Sequence, residues 1–211
     1  ISILLPAMQK AREQAIKVEC ASNLRQVGQA FHMYTNESKG AYPPPPSIYH
    51  WPFGAMVLLF ENPPSTPPGF MPVGQALLFD HKYLKTGRVL YCPAARGSDI
   101  FTFEKMWHPK PGTWYITYVG YPYWARYRCW ADVNGHLPAN VADRSKDKST
   151  RLLSSDMVTT AGGVQTTAWS GHLDRAGRNA GGNVLLNDGS VHWRPFKEMK
   201  IRFTYVYDFW F

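Results

Sequence analysis

The sequence predicts an α+β fold: one long N-terminal helix, then a body of short strands and long irregular connections. Three observations predict it. Leu24, Val27, Gly28, Phe31 and Tyr34 recur at intervals of three and four, which lines them along one stripe of a helix. Aromatic residues make up 15% of the 211-residue chain, with 17 Pro and 17 Gly, a composition that favours strands and loops over many helices. Near the far end, two apolar runs flank Asp188-Gly189, a dipeptide favoured in tight hairpins.

The helix meets no stop signal before Ser38-Lys39-Gly40. A helix of about 35 residues is roughly 50 Å long at 1.5 Å per residue, too long to be covered on all sides, so one end is expected to project. Lys17, Glu19, Arg25, Gln26 and Gln29 fall largely off the apolar stripe. The opening Ile1-Ser2-Ile3-Leu4-Leu5-Pro6-Ala7 is apolar, and Pro6 removes a backbone donor and favours a kink. This apolar run is far shorter than the roughly 20 residues that cross a bilayer. With no initiator Met and no leader of its own, it reads as the end of something longer.

The run Ala41-Tyr42-Pro43-Pro44-Pro45-Pro46 is an extended exit from the helix. It divides the chain into an assembly helix over 1–40 and a globular head over 41–211. Residues 51–60 are apolar and short, suited to one helical or packed turn, and 62–72 hold five prolines and read as a loop. The spacing over 73–84 predicts a short amphipathic helix ending near Gly87, and 88–93 reads as a brief extended segment stopped by Pro93. Residues 114–119 have strand composition, and aromatic residues continue over 121–130. Residues 133–150 read as a surface loop, 151–156 as a short strand and 157–170 as a Gly- and Thr-rich excursion. Residues 183–187 and 190–194 are predicted to pair across a two-residue Asp188-Gly189 turn with both residues at positive φ. The weak alternation over 201–211 predicts a final strand or an aromatic tail.

The net charge of +8 is dispersed, most of it lying between residues 88 and 151, where ten Lys/Arg face five Asp/Glu. Nucleic-acid binding calls for a basic stripe on a docking element; none is present, and no nucleic-acid partner is expected. A solvated surface charge is the simpler reading, contact with an anionic polymer the alternative. Cys20, Cys92 and Cys129 show neither CxxC pairing nor metal-ligand spacing. In an extracytoplasmic protein Cys92 and Cys129 can form a disulfide between loop-rich segments, leaving Cys20 free or intermolecular.

The residues best placed for chemistry are His172, Asp174, Asp188 and His192, since imidazole and carboxylate together ligate metals. Each also has a structural explanation: Asp188 in a turn, His192 on a strand beside Trp193, and His172 with Asp174 orienting a loop. A structural Ca²⁺ held by Asp156, Asp174, Asp188 and loop carbonyls suits oxygen ligation better, although no EF-hand spacing is present. No other cofactor is expected. Neither a nucleophile elbow nor a phosphate loop nor a dinucleotide fingerprint occurs, and Cys92 has no base beside it in sequence. The expectation is a protein that is not an enzyme. The aromatic region 107–130 could instead offer a sugar-stacking platform for a surface-anchored glycan-binding module, with core or subunit packing the preferred reading.

Ser2-Ile3-Leu4-Leu5-Pro6-Ala7-Met8, Ala11-Arg12-Glu13 and the segment from Cys20 to Gly28 together resemble the N-terminal helix of type IV pilin-like proteins and type II secretion pseudopilins. More narrowly, the chain is similar to a bacterial branch with a C-terminal His…Asp-Gly signature, here His172, Asp188 and Gly189. The likeness continues through a short helix leading to Tyr91-Cys92-Pro93 and through Leu152-Leu153-Ser154-Ser155-Asp156. It is strongest from Gly182 to Val191 and covers about half the chain, with residues 174–181 looking like an insertion. The resemblance implies a pilin-like fold with large loop insertions, in which Leu24, Val27, Phe31 and Tyr34 pack the helix on an antiparallel sheet. It implies that Ile1, Ile3, Leu4, Leu5 and Met8 enter a filament core, or a membrane before assembly, and that Pro6 marks a bend. The implied role is a structural subunit of an extracellular or cell-surface filament. Such a subunit forms a helical homo-oligomer, built from the inner membrane by secretion or pilus assembly machinery.

Overall fold

The structure, a computed structural model, describes residues 4–44, 57–61, 71–72, 74–95, 102–106, 115–125, 145–161, 164–165, 170–204 and 208–210. Helix α1 (Leu4–Glu37) runs unbroken for 34 residues. Pro6, where a bend is expected, lies within this run. The helix ends where Lys39 (φ 53°) and Gly40 (φ 80°) turn left-handed and the Gly40 amide donates to the Thr35 carbonyl at 2.8 Å, a stop of the Schellman kind. Cys20, Leu24, Val27 and Phe31 are fully buried. Tyr34 is half-buried, its ring edge-on to His81. Every residue over 6–15 is exposed, so the N-terminal turns of α1 project from the body.

Three antiparallel sheets follow among the described residues. Strand β1 (Val57–Glu61) pairs with β2 (Met71–Pro72) and, across its other edge, with β3 (Tyr115–Tyr118). The apolar turn expected over 51–60 is thus a strand from Val57, and the loop expected over 62–72 ends in one. A four-residue apolar run suits either state, and here the β3 partner decides it. Between β2 and β3 lie α2 (Ala76–Asp80), shorter than the helix predicted over 73–84, and α3 (Phe103–Met106). In place of the extended segment expected from Arg88, Gly87–Leu90 forms a 3₁₀ turn whose start is capped by the Thr86 hydroxyl, which accepts the Arg88 amide.

The second sheet is built around β8 (Asn179–Leu186), flanked by β4 (Leu152–Ser155), β7 (His172–Leu173) and β9 (Val191–Pro195). α1 lies across it. A Cβ on Gly28 would stand 2.9 Å from a Leu185 methyl, so glycine lets helix and strand meet closely. The third sheet has the order β10 (Ile201–Thr204), β11 (Asp208–Trp210), β5 (Thr159–Ala161), β6 (Val164–Gln165). The stretch read as a Gly- and Thr-rich excursion therefore contributes two strands, and the end of the chain a hairpin.

The β8–β9 loop closes on Leu186 and Ser190 and so holds three residues, Asn187 to Gly189, rather than the two predicted. The Gly189 amide donates to the Leu186 carbonyl, the Leu186 amide donates to the Ser190 carbonyl, and Gly189 alone in the loop has positive φ (80°). This is a type I turn followed by a left-handed glycine. Asp188 stays at negative φ while its carboxylate accepts the Ser190 amide at 2.9 Å. Asn187 ties three segments together: its Oδ1 accepts the Tyr42 hydroxyl at 2.7 Å, and its Nδ2 donates to the Ser145 and Asp147 carbonyls. Asn187→Ala should cost about 2 kcal/mol, because the buried Tyr42 hydroxyl and two partly buried carbonyls lose a partner at once. Urea unfolding of the two proteins measures it, and a difference within error would show that the knot carries no stability.

Candidate functional site

Strands β4 and β7 occupy one edge of β8 in succession, β4 opposite Val184 to Leu186 and β7 opposite Asn179 to Gly181, while β9 holds the other edge. The gap between β4 and β7 falls at Asn183. Asp156, just past β4, fills it. Its amide donates to the Asn183 carbonyl at 2.8 Å, and its Oδ2 accepts the Asn183 backbone amide at 2.7 Å and side-chain amide at 2.9 Å. A carboxylate thus takes the place of a strand carbonyl. His172, opening β7, brings Nε2 to 3.1 Å from the same Oδ2.

Helix α1 supplies Cys20 from the opposite side, four residues before Leu24 on the same buried stripe. Cys92 follows the 3₁₀ turn, where the Gly120 amide donates to the Leu90 carbonyl at 2.9 Å and a Cβ on Gly120 would stand 3.0 Å from the Cys92 nitrogen. The two sulfurs lie 2.7 Å apart, and Cys92 Sγ is 3.5 Å from His172 Nε2. One donor atom from each of Cys20, Cys92, Asp156 and His172 lies within 4.8 Å of the others. Cys20 is 0% exposed, Asp156 2%, and Cys92 and His172 each 5%. Outside them Trp193 meets the His172 ring edge-on at 5.0 Å, and the Lys17 ammonium sits 4.2 Å over the Trp193 ring. Asp156 Oδ1 is buried with no hydrogen-bond partner.

The charges follow from these contacts. Burial works against protonation of His172, but the hydrogen bond to Asp156, with help from Cys20, lifts its pKa to about 9. Burial pushes the Cys20 thiol up, but hydrogen bonds from Cys92 and His172 outweigh it and hold the pKa at about 7. Cys92 is pushed well up by burial and by the neighbouring Cys20 sulfur. These contacts favour a protonated imidazole beside Asp156 and make the Cys20 thiol readier to ionise than that of Cys92. A nucleophile–histidine–acid relay needs acid and nucleophile on opposite ring nitrogens, whereas here Cys92 Sγ and Asp156 Oδ2 both face Nε2.

Several sequence expectations resolve differently. Cys92 stands against Cys20, both of them buried free thiols here; Cys129 lies outside the described residues. His172 pairs with Asp156, not with Asp174. The proposed Ca²⁺ ligands Asp156, Asp174 and Asp188 do not converge. Asp174 accepts the Ala176 and Arg178 amides and pairs with the Arg178 guanidinium, and Asp188 serves its own turn. His192 bonds Ser190. His172 and Asp188-Gly189, together in the signature, occupy separate places. Ile1 and Ile3 lie outside the described residues, only the backbone of Leu4 and Leu5 is described, and Pro6 and Met8 are exposed, Met8 by 67%. In the aromatic region, Tyr121, Tyr123 and Trp124 point inward (0%, 3% and 2% exposed); Trp107, Trp114, Tyr127 and Trp130 lie outside the described residues. The cluster was missed although one signal was present: Cys20 shares the spacing of Leu24, Val27 and Phe31, which places its sulfur indoors.

No helix among the described residues is long and apolar enough to cross a membrane. No family model, no curated protein and no solved structure matches the chain. Fold and geometry define an α+β protein with a projecting helix and a buried thiol–imidazole–carboxylate cluster.

Proposed function

We propose that the protein is a non-catalytic structural subunit of a pilus- or pseudopilus-like filament, with a pilin-like head carrying large loop insertions. It is drawn from the inner membrane by secretion or pilus assembly machinery and held to its copies by bundled N-terminal helices. The likeness of the N-terminal segment to pilin-like helices supports this. One structural observation carries it: α1 is buried on the sheet between Cys20 and Thr35, yet exposed on every side over residues 6–15. Ten exposed residues at 1.5 Å each make a handle of roughly 15 Å; Met8, exposed by 67%, gives it an apolar point of contact, and Val18, exposed by 64%, adds one just beyond its base.

Electron microscopy of the native material tests the reading, with helical filaments as the expected result. The double variant Leu4→Asp/Leu5→Asp should abolish assembly and leave the thermal transition of the body unchanged. Filaments unaltered by that change would remove the helix start from the core. Monomers throughout, with glycan-array binding that is lost on Trp→Ala within 107–130, would replace the filament by a surface-anchored glycan-binding module.

A further inference from the structure

We propose that Cys20 and Cys92 are joined by a disulfide that fastens α1 to the body, and that it is closed by exchange with an external disulfide entering beside Cys92. The proposal stands apart from the filament reading, since both sulfurs belong to one chain and meet inside it.

Three separate features bring the sulfurs together. The buried stripe of α1 turns Cys20 inward. The close approach of Gly120 to the backbone of Tyr91 and Cys92 fixes the second cysteine. Gly171 leaves the space that Cys92 Sγ fills, since a Cβ there would stand 3.1 Å from that sulfur. A zinc ion would also suit two thiols, an imidazole and a carboxylate. Two sulfurs on one tetrahedral zinc stand about 3.7 Å apart, however, given Zn–S bonds of about 2.3 Å. The pair at 2.7 Å is a full ångström too close for that, and the disulfide is the nearer state.

The surroundings give a route. Cys92 borders a cleft of about 280 Å³ between α1 and the 3₁₀ turn, edged by Glu19, Asn23, Arg88, Tyr91 and Phe103, and Cys20 does not reach it. We assign the first contact with the external reagent to Cys92, which borders the cleft and is 5% exposed against 0% for Cys20, and the resolving step to Cys20. In the reactive form one thiol proton of the pair has passed to His172, leaving Cys20 as the thiolate and Cys92 as the thiol. Cys92 hands its proton to the Cys20 thiolate 2.7 Å away as it attacks one sulfur of the external disulfide, whose S–S bond breaks and releases the first thiolate. Cys20, giving up its proton, then attacks Cys92 Sγ and expels the second. The two protons follow the electrons to the departing thiolates. Two protein thiols are oxidised and one external disulfide is reduced to two thiols. His172, oriented by Asp156, keeps negative charge on the sulfur pair and so acts as a positioning residue.

The full chain, purified without reductant, decides the matter. Its intact mass should lie about 2 Da below the all-thiol value, and a proteolytic map should contain a Cys20–Cys92 cross-linked peptide. Reduction should lower Tm by about 5–10 °C, from the stabilisation typical of a long closed loop. Cys129→Ser should retain the cross-link and Cys20→Ser should lack it; the map of the unaltered protein decides even where Cys20→Ser fails to fold. After reduction, His172→Gln should reoxidise about tenfold more slowly with oxidised glutathione at pH 7, reaching the same end point, because the thiolate fraction falls when the imidazolium is gone. Cys20 and Cys92 both alkylated in unreduced protein, a Cys92–Cys129 peptide, or one equivalent of zinc beside two free thiols would each overturn the bond. Equal reoxidation rates would overturn the part given to His172.

Discussion

Gly181→Ala should cost about 4 kcal/mol or more, a large part of the 5–15 kcal/mol that holds a typical domain together. Gly181 has φ +139°, which L side chains rarely adopt, and it sits in the middle of β8 with β7 on one edge and β9 on the other. A Cβ there would overlap the Arg194 carbonyl oxygen and crowd Pro195 Cα and Trp193. The first two obstacles are backbone in a paired strand and cannot swing aside. The backbone strain alone costs of order 1–3 kcal/mol, and overpacking adds about 1–3 kcal/mol. Gly177 is the control. It too has positive φ (+71°), but nothing lies within 4 Å of its added Cβ, so Gly177→Ala should cost only about 1 kcal/mol of strain. Equal losses at the two positions, read from urea unfolding curves, would show that β9 moves away and that the close approach is not enforced.

Asp156→Ala should cost about 3–5 kcal/mol, the range for removing one partner of a buried ion pair. It strands the His172 imidazolium and takes the acceptor from the Asn183 backbone amide in the same step. The effect has a pH signature when the thiols are kept reduced. The folded pKa of His172, about 9, is raised above the ordinary value of 6.5. Its contribution is therefore complete below about pH 6.5 and is lost as pH rises through 9. The stability gap between the unaltered protein and Asp156→Ala should be widest near pH 6 and narrow by pH 9.5, and the NMR titration midpoint of His172 should drop in the variant. A midpoint that stays near 9 without Asp156 would assign the shift to another neighbour.

The long helix was legible because its signal is local: a period of 3.6 written in Leu24, Val27 and Phe31, ended by Lys39-Gly40. Strand composition sufficed for Tyr115–Tyr118 and Leu152–Ser155, and the β8–β9 hairpin was legible from Asp188-Gly189. Its loop length was not, because adding Asn187 to the turn depends on side-chain bonds to Tyr42 and Ser145, which are remote in sequence. Strand β1 read equally well as a packed turn until Tyr115–Tyr118 supplied its partner. The candidate site was the least legible part. Cys20, Cys92, Asp156 and His172 come from a helix, a 3₁₀ turn, a strand end and a strand start, with gaps of 72, 64 and 16 residues. No spacing rule spans such gaps. Asp156 in particular looks like an ordinary loop acid until the missing rung beside Asn183 gives it a task.

The surface that covers α1 is written late in the chain. Leu185 packs at Gly28, and the acceptor for Tyr42 is Asn187, 145 residues downstream. Tyr42, Leu78 and Leu90 reach the same core sooner, but at the roughly 5–20 residues per second of translation the nascent helix waits on the order of 10–30 s for the sheet that closes its apolar face. Through that interval the stripe of Leu24, Val27 and Phe31 is only partly covered, and a chaperone or a lipid surface can occupy its open side.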